Sequence, residues 1–218
     1  MDKRRSTSDF VYDEMKNKIV QLEYEPNERL VEDVLASAFE VSRTPLRQAI
    51  ARLEIEKLVI RKRNGRIYVA SLSIEEAIEI YKVREVLEGL VAKEATLNMT
   101  PDILAKLEDT LSLIDRAYEE DRNADAIKYG FEFHHLLYKP SNNPTAVHFL
   151  NQIKNRIERY RQIGESKQFR YLHHLPNKEH YELFNLIKEG DENKVEAEMR
   201  VHIRRSLETT IDSLKDLV

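Results

Sequence analysis

Apolar residues recur at helical spacing from the start of the chain. Phe10, Val11, Met15, Ile19 and Leu22 mark a helix over 10–22, with Ser8 placed to cap it, and Tyr24-Glu25-Pro26-Asn27 breaks the pattern. Val31, Val34, Leu35 and Ala38 share one face of a second helix over 31–39. After Glu40-Val41-Ser42 a third helix opens. Ser42 suits its N-cap, and Pro45 sits in its first turn, where a missing N–H costs nothing. Leu46, Ile50 and Leu53 form its apolar stripe, while Arg43, Thr44, Arg47 and Gln48 lie off the stripe near its start. The period then shortens. Leu58-Val59-Ile60 and Ile67-Tyr68-Val69 read as strands around Arg63-Asn64-Gly65, and Asn-Gly is a hairpin signal. Two short helices, a tight turn and a hairpin make a winged helix-turn-helix.

From Ser73 onward the pattern is helix after helix. Ser73-Ile74-Glu75-Glu76 is a capping box that opens a helix to about Asn98, and Thr100-Pro101 caps the next, to about Glu120. Further helices are expected over 124–138, ending before Pro140, and over 143–164, opened by Asn143-Pro144. A short helical segment follows over 167–174. Asn177 is placed to cap a helix to Lys188, Gly190-Asp191 makes a turn, and a last helix runs to about Leu217. No repeat period emerges. The expected fold is mainly α: a winged helix-turn-helix domain over 1–72 and an all-helical bundle over 73–218.

Composition narrows the class. The chain has 218 residues, no Cys and no Trp, so a disulfide framework, a Cys-ligated metal and a Cys nucleophile are excluded. No apolar run is long enough to cross a membrane, and no apolar stretch follows the basic N-terminus, so a cytoplasmic location is expected. The net charge of -4 argues mildly against nucleic acid, but the charge is unevenly spread. Between Arg43 and Arg66 there are eight basic residues (Arg43, Arg47, Arg52, Lys57, Arg61, Lys62, Arg63 and Arg66), opposed only by Glu54 and Glu56. A basic window in an acidic chain fits a phosphate-contacting surface. The start of the third helix would reach base edges in the major groove, and the wing would follow the backbone or enter the minor groove.

Three histidines stand out in the helical part. His134 shares a stripe with Ile127, Phe131 and Leu137, His180 with Leu183, Phe184 and Ile187, and His202 with Val195 and Met199. His180 lies ten residues before Gly190 and His202 eleven after Asp191, so an antiparallel hairpin sets them side by side. Three inward imidazoles can build a metal site between helices, although a histidine on an apolar face can equally be a core residue bonded to a backbone carbonyl. Arg84 shares its face with Ile80, Leu87 and Val91. A guanidinium aimed at a core needs a carboxylate partner, with Glu88 the nearest on the helix, or an anionic ligand. No inward carboxylate or other general base is evident beside the histidine stripes.

The run Glu28-Arg29-Leu30-Val31-Glu32, Leu35-Ala36, Val41-Ser42-Arg43-Thr44-Pro45-Leu46-Arg47-Gln48-Ala49-Ile50 and Leu53 resembles the DNA-binding domain of the GntR family of bacterial transcription regulators. Asn27 and Glu40 stand where that family usually has Gly; Asn takes a left-handed backbone readily, Glu at modest cost. Val83-Arg84-Glu85-Val86-Leu87-Glu88, Phe133-His134 with Asn143-Pro144, and Glu179-His180 with Gly190-Asp191, Ala197, Met199 and His202 resemble the FCD ligand-binding domain of the FadR-like branch. The resemblance implies that Arg43, Thr44 and Arg47, with Ser42 beside them and Arg63, Asn64 and Gly65 at the wing, contact DNA. It implies a homodimer on a palindromic operator, most often as a repressor. It also implies that Arg84 helps hold an organic-acid effector, beside a divalent metal such as zinc, nickel or manganese. In metal-binding members an Asp one turn before the first His joins three His; here that position is Gly130, which leaves His134, His180 and His202 and an open position. A metal-dependent hydrolase or lyase using those histidines is the alternative, and a purely architectural DNA-binding protein a third reading.

Overall fold

The computed structural model describes residues 6–164 and 175–215; the segment expected to be helical over 167–174 lies outside them. The residues fall into two units, Met1–Ser73 with Lys154–Gln162, and Ile74–Ile153 with Ile163–Val218. In the first unit, helix α1 (Thr7–Val20) begins at Ser6, not Ser8: the Ser6 side chain accepts from Asp9 N at 3.1 Å, satisfying one of the free N–H groups of the first turn. Strand β1 (Arg29–Leu30) follows, then α2 (Glu32–Ala38), α3 (Arg43–Ile55), β2 (Val59–Arg61) and β3 (Ile67–Val69). The sheet order is β1-β3-β2, antiparallel throughout, with Leu30 opposite Ile67 and Ile60 opposite Tyr68. β1 escaped the sequence pattern because two residues carry no readable period.

Val11, Met15 and Ile19 of α1 and Leu46, Ile50 and Leu53 of α3 are fully buried in one core, with Leu58, Ile67 and Val69 of the hairpin region. Arg52 lies 3.7 Å from the centre of the Tyr12 ring and also pairs with Asp9 at 2.7 Å, which ties α3 to α1. Residues 154–162 contribute to this unit through Arg159, whose Nη2 donates to Ala70 O at 2.9 Å, and Tyr160, whose hydroxyl donates to Ser73 O at 3.1 Å.

The backbone strain expected at the two family glycine positions is present. Asn27 has φ +67° and Glu40, in the turn between α2 and α3, has φ +53°. At Glu40 the turn is closed by Val41 N donating to Ala36 O at 3.0 Å, so the left-handed step aims α3 across α2.

The second unit contains α4 (Ile74–Thr96), α5 (Pro101–Glu119), α6 (Asn123–Tyr138), the start of α7 (Pro144–Gly164), α8 (Leu175–Glu189) and α9 (Glu192–Lys215). Thr100 caps α5 through Ile103 N, Asn143 caps α7 through Ala146 N, and Asp191 caps α9 through Lys194 N. α8 starts two residues before the expected cap. Asn177 lies inside it, buried, and its Nδ2 donates to Asp115 of α5, which also accepts from Tyr181 Oη at 2.8 Å. α4 and α9 run antiparallel in close contact, with Tyr81 meeting Thr210 at 3.0 Å, Glu85 meeting Arg204 at 2.6 Å and Lys93 meeting Glu196 at 3.1 Å. Gly89 permits that approach, since a Cβ there would lie 2.8 Å from Arg200 Cγ. Gly190, with φ +76°, reverses the chain between α8 and α9.

Replacing Glu40 by Gly should raise stability. A left-handed backbone costs a side-chain-bearing residue about 1–2 kcal/mol, and the greater freedom of Gly in the unfolded chain returns part of that. The expected gain is below about 1 kcal/mol, read as a higher urea midpoint at unchanged slope. A lower midpoint would contradict the strain assigned to this turn.

Candidate functional site

Two regions carry the chemistry expected of the chain, one in each unit. In the first, α3 presents a buried face through Leu46, Ala49, Ile50 and Leu53 and an exposed start through Ser42, Arg43, Thr44 and Arg47. Ser42 has the extended backbone of an N-cap, but its side chain makes no capping hydrogen bond, contrary to its expected capping role. The N–H groups of this turn therefore gain nothing from Ser42, and free first-turn N–H groups suit phosphate. The wing places Arg63, Asn64, Gly65 and Arg66 in solvent. Asn64 and Gly65 shape its tip: Gly65 takes φ +77°, and Asn64 Oδ1 accepts from Arg66 N at 3.1 Å.

The charge window read from the sequence needs one addition. α2 places acids against the basic residues of α3 and the wing. Arg43 pairs with Asp33 at 2.7 Å, Arg47 Nε donates to Glu32 at 2.8 Å, and Arg61 is forked on Glu54 at 3.0 and 3.2 Å. These pairs are exposed on at least one side, and such pairs contribute little and exchange readily. Glu32 and Asp33 lie outside the stretch from Arg43 to Arg66, so a count along that stretch missed them; Glu54 lies within it.

The second region lies between α4, α6, α8 and α9. His134, His180 and His202 are buried, and one ring nitrogen of each lies within 4.8 Å of the others. Ring centres stand 5.6 Å apart for His134 and His180, 5.3 Å for His134 and His202, and 4.7 Å for His180 and His202. Neutral imidazoles at this separation suit zinc, nickel or another borderline divalent ion. Phe133 packs on His180 at 4.9 Å, fixing the dry wall of the cluster. Gly130 faces the same space: a Cβ on it would meet only His180 Cε1, at 3.7 Å.

Contrary to the sequence reading, two carboxylates adjoin the histidines. Glu88 of α4 is 2% exposed, with Oε2 at 3.4 Å from His134 Nδ1. Its Oε1 lies 3.5 Å from Arg84 Nε and accepts from Tyr138 Oη at 3.4 Å. Burial pushes the Glu88 carboxyl above the usual carboxylate range, and the neighbouring Arg84 pulls it back only in part. Glu179 of α8 sits at 2.8 Å from His202 Nδ1 and is itself held by Arg205 at 3.1 Å. That contact fixes the orientation of the His202 ring and directs its other nitrogen away from Glu179. Glu179 was legible in principle: it lies one residue before His180, but facing His202 depends on the crossing of α8 and α9. Arg84 is 1% exposed, as its helical stripe required, with Ile80 and Val91 buried beside it; Leu87, expected on that stripe, is only partly covered. Among the described residues Arg84 Nη1 has no hydrogen-bond partner.

Comparison with known proteins bears on both regions. Residues 7–69 match "Bacterial regulatory proteins, gntR family" and residues 79–205 match "FCD domain". The chain is 28% identical over 199 residues to the Nta operon transcriptional regulator of Aminobacter aminovorans, covering 91% of this chain and 92% of that one. It is 27% identical over 221 residues to the gluconate operon transcriptional repressor of Bacillus subtilis, covering 99% of this chain and 86% of that protein. Among solved structures, E. coli McbR/YncC superposes with a TM-score of 0.81 at 21% identity over 95% of this chain and 98% of that chain, a likeness of fold.

Replacing Gly130 by Ala should stabilise the protein by about 0.5–1 kcal/mol, the usual helix-interior gain over Gly, because the added methyl meets only one ordinary contact. Chemical denaturation measures it. A loss of stability would show that the space beside His180 does not admit even a methyl group.

Proposed function

This chain belongs to the GntR family of bacterial transcription regulators, in the branch that carries an FCD domain, and from that premise we propose a repressor that binds a palindromic operator as a homodimer and answers to a small organic acid. It is a regulator and not an enzyme, as its named relatives are; the hydrolase or lyase alternative is set aside on that ground. No helix among the described residues is long and apolar enough to cross a membrane.

The observation that carries the reading is the start of α3, where Ser42, Arg43, Thr44 and Arg47 are exposed on a helix whose other face is buried. Arg43 and Arg47 would read base edges, Ser42 and Thr44 would meet phosphate, and Arg63, Asn64 and Gly65 would place the wing on the flanking backbone. One such helix spans few base pairs, which is why a two-fold pair on a palindrome is expected. Residues 1–72 would carry this work and residues 73–218 the control. An effector that favours one arrangement of a dimer would shift operator affinity by its differential binding to the two states.

Replacing Arg43 or Arg47 by Ala should cost about 1–3 kcal/mol of operator binding and blur sequence preference. Replacing Arg63 should weaken all sequences alike and flatten the salt dependence by about one unit of log-log slope. Gel-shift or anisotropy titrations over a salt series separate the two behaviours. Uniform loss across all sequences on replacing Arg43, Arg47 and Arg63 alike would refute base reading by α3.

The regulatory part of the proposal adds a divalent metal. His134, His180 and His202 fit one by donor type, burial and spacing. They would hold it, Glu179 would keep His202 oriented, and Arg84 would take the carboxylate of the effector. The metal would supply a Lewis-acidic anchor for that ligand. Untagged protein should contain stoichiometric metal that is lost on replacing His180 and His202 by Ala. Glu179→Gln should weaken binding by about 10–100-fold. Metal at background level in the unaltered protein, with added zinc or nickel, overturns this part.

A further inference from the structure

Two acids that are adjacent in the chain and equal in charge meet the arginines of α3 in different ways. Glu32 and Asp33 both lie in the first turn of α2, where the helix dipole favours a carboxylate. Glu32 Oε2 accepts from Arg47 Nε at 2.8 Å, and neither terminal nitrogen of Arg47 is hydrogen-bonded among the described residues. A guanidinium reads guanine with two neighbouring N–H groups. With Nε held, Arg47 keeps its Nη1–Nη2 edge for that purpose. Asp33 Oδ1 instead stands 2.7 Å from Arg43 Nη2. Nη2 takes part in either two-nitrogen edge of the side chain, so Asp33 competes for the atoms with which Arg43 would meet a base.

The two carboxylates also differ in how firmly they are held. The Asp33 side chain is 67% exposed and the Glu32 side chain 21%. The other Glu32 oxygen, Oε1, lies 3.9 Å from Arg61 Nη1. Arg61 is forked on Glu54 at 3.0 and 3.2 Å, and its Nη1 donates to Gly65 O at the wing tip at 3.3 Å. Glu32 is thus braced on both oxygens, between α3 and the wing, while Asp33 is free to move aside into water. Neither pair adds much to stability. Each decides what its arginine is free to do, and a guanidinium oriented in advance loses less side-chain freedom on binding.

We propose that Glu32 is a positioning residue for base reading, fixing the Arg47 guanidinium with its terminal edge free, and that Asp33 is a displaceable counter-charge that restrains Arg43 from meeting DNA. This rests on the base-reading role proposed for α3. Loss of either acid removes a negative charge near phosphate, which raises affinity for DNA of any sequence. Loss of Glu32 also releases Arg47, so sequence preference falls. Loss of Asp33 leaves Arg43 nothing to give up, so preference is kept.

The test uses the full chain, a duplex enriched by that chain from a random pool, and a shuffled duplex of the same composition. Anisotropy titrations at one salt concentration give the ratio of the two affinities. Glu32→Ala should lower that ratio about tenfold, within the range one bidentate base contact contributes, without weakening binding to the shuffled duplex. Glu32→Gln keeps an acceptor of the same shape for Nε and should restore most of the ratio. Asp33→Ala should tighten binding to both duplexes and leave the ratio unchanged or higher. Selection repeated with Glu32→Ala should relax the same base positions as selection with Arg47→Ala. Circular dichroism melts check the folding of each variant, and Glu32→Met, of similar length but without an oxygen, replaces Glu32→Ala if that variant does not fold. An unchanged ratio in a folded Glu32→Ala or Glu32→Met, an equal fall in Glu32→Gln, or as large a fall in Asp33→Ala overturns this inference alone. A ratio near one for the unaltered protein, or a ratio that Arg47→Ala does not change, overturns the base-reading role beneath it.

Discussion

Much of the helical unit is arranged around a guanidinium that has no access to water. Arg84 is 1% exposed, and burying such a charge without a partner costs far more than a helix–helix contact returns. Glu88, one helical turn along, gives the first compensation. That carboxylate is then committed to the interior too, and it draws in Tyr138 and His134 from α6. His180 of α8 and His202 of α9 close the cluster with polar side chains that are also buried. A core of leucines would be simpler and more stable. The polar cluster is retained at a cost in stability, which is the usual mark of a site that binds something.

The DNA-facing unit solves the opposite problem. In the proposed reading its arginines meet phosphate and base edges, yet eight basic residues close together repel one another. Glu32, Asp33 and Glu54 relieve that repulsion at distances of 2.7 to 3.2 Å. Because these pairs face water, exchanging a carboxylate for a phosphate loses little and lets high salt weaken both kinds of contact. The chain's net charge of -4 is therefore no guide to this surface.

Helices and their inward faces were legible in the sequence because periodicity is a one-dimensional signal. The helical span of α3, the faces of His134, His180, His202 and Arg84, and the left-handed turns at Asn27 and Glu40 all rest on local spacing or on a substituted glycine. What escaped depends on pairs distant in the chain. Glu179 meets His202 across 23 residues, and Arg47 meets Glu32 across 15. Asn177 looked like a helix cap because its residue type favours one; its partner, Asp115, lies 62 residues away, and that tertiary bond won over the local preference. β1 was too short for any pattern, and pairs only because β3 offers it an edge.

Arg43, Arg47 and Arg84 are the same side chain under two dielectrics, and that difference divides the labour of the molecule. At the surface, a guanidinium exchanges one oxygen partner for another with little change in free energy, so recognition there depends on geometry summed over several contacts. In the interior, each added or removed charge changes the balance of the whole cluster, so a single ligand can favour one state strongly. A surface of the first kind is suited to reading a sequence with graded affinity, and a cluster of the second kind to a sharp response to one small molecule. A regulator needs both. Placing eight basic residues between positions 43 and 66 while sealing Arg84 inside a helical bundle gives each guanidinium the environment that its proposed task requires.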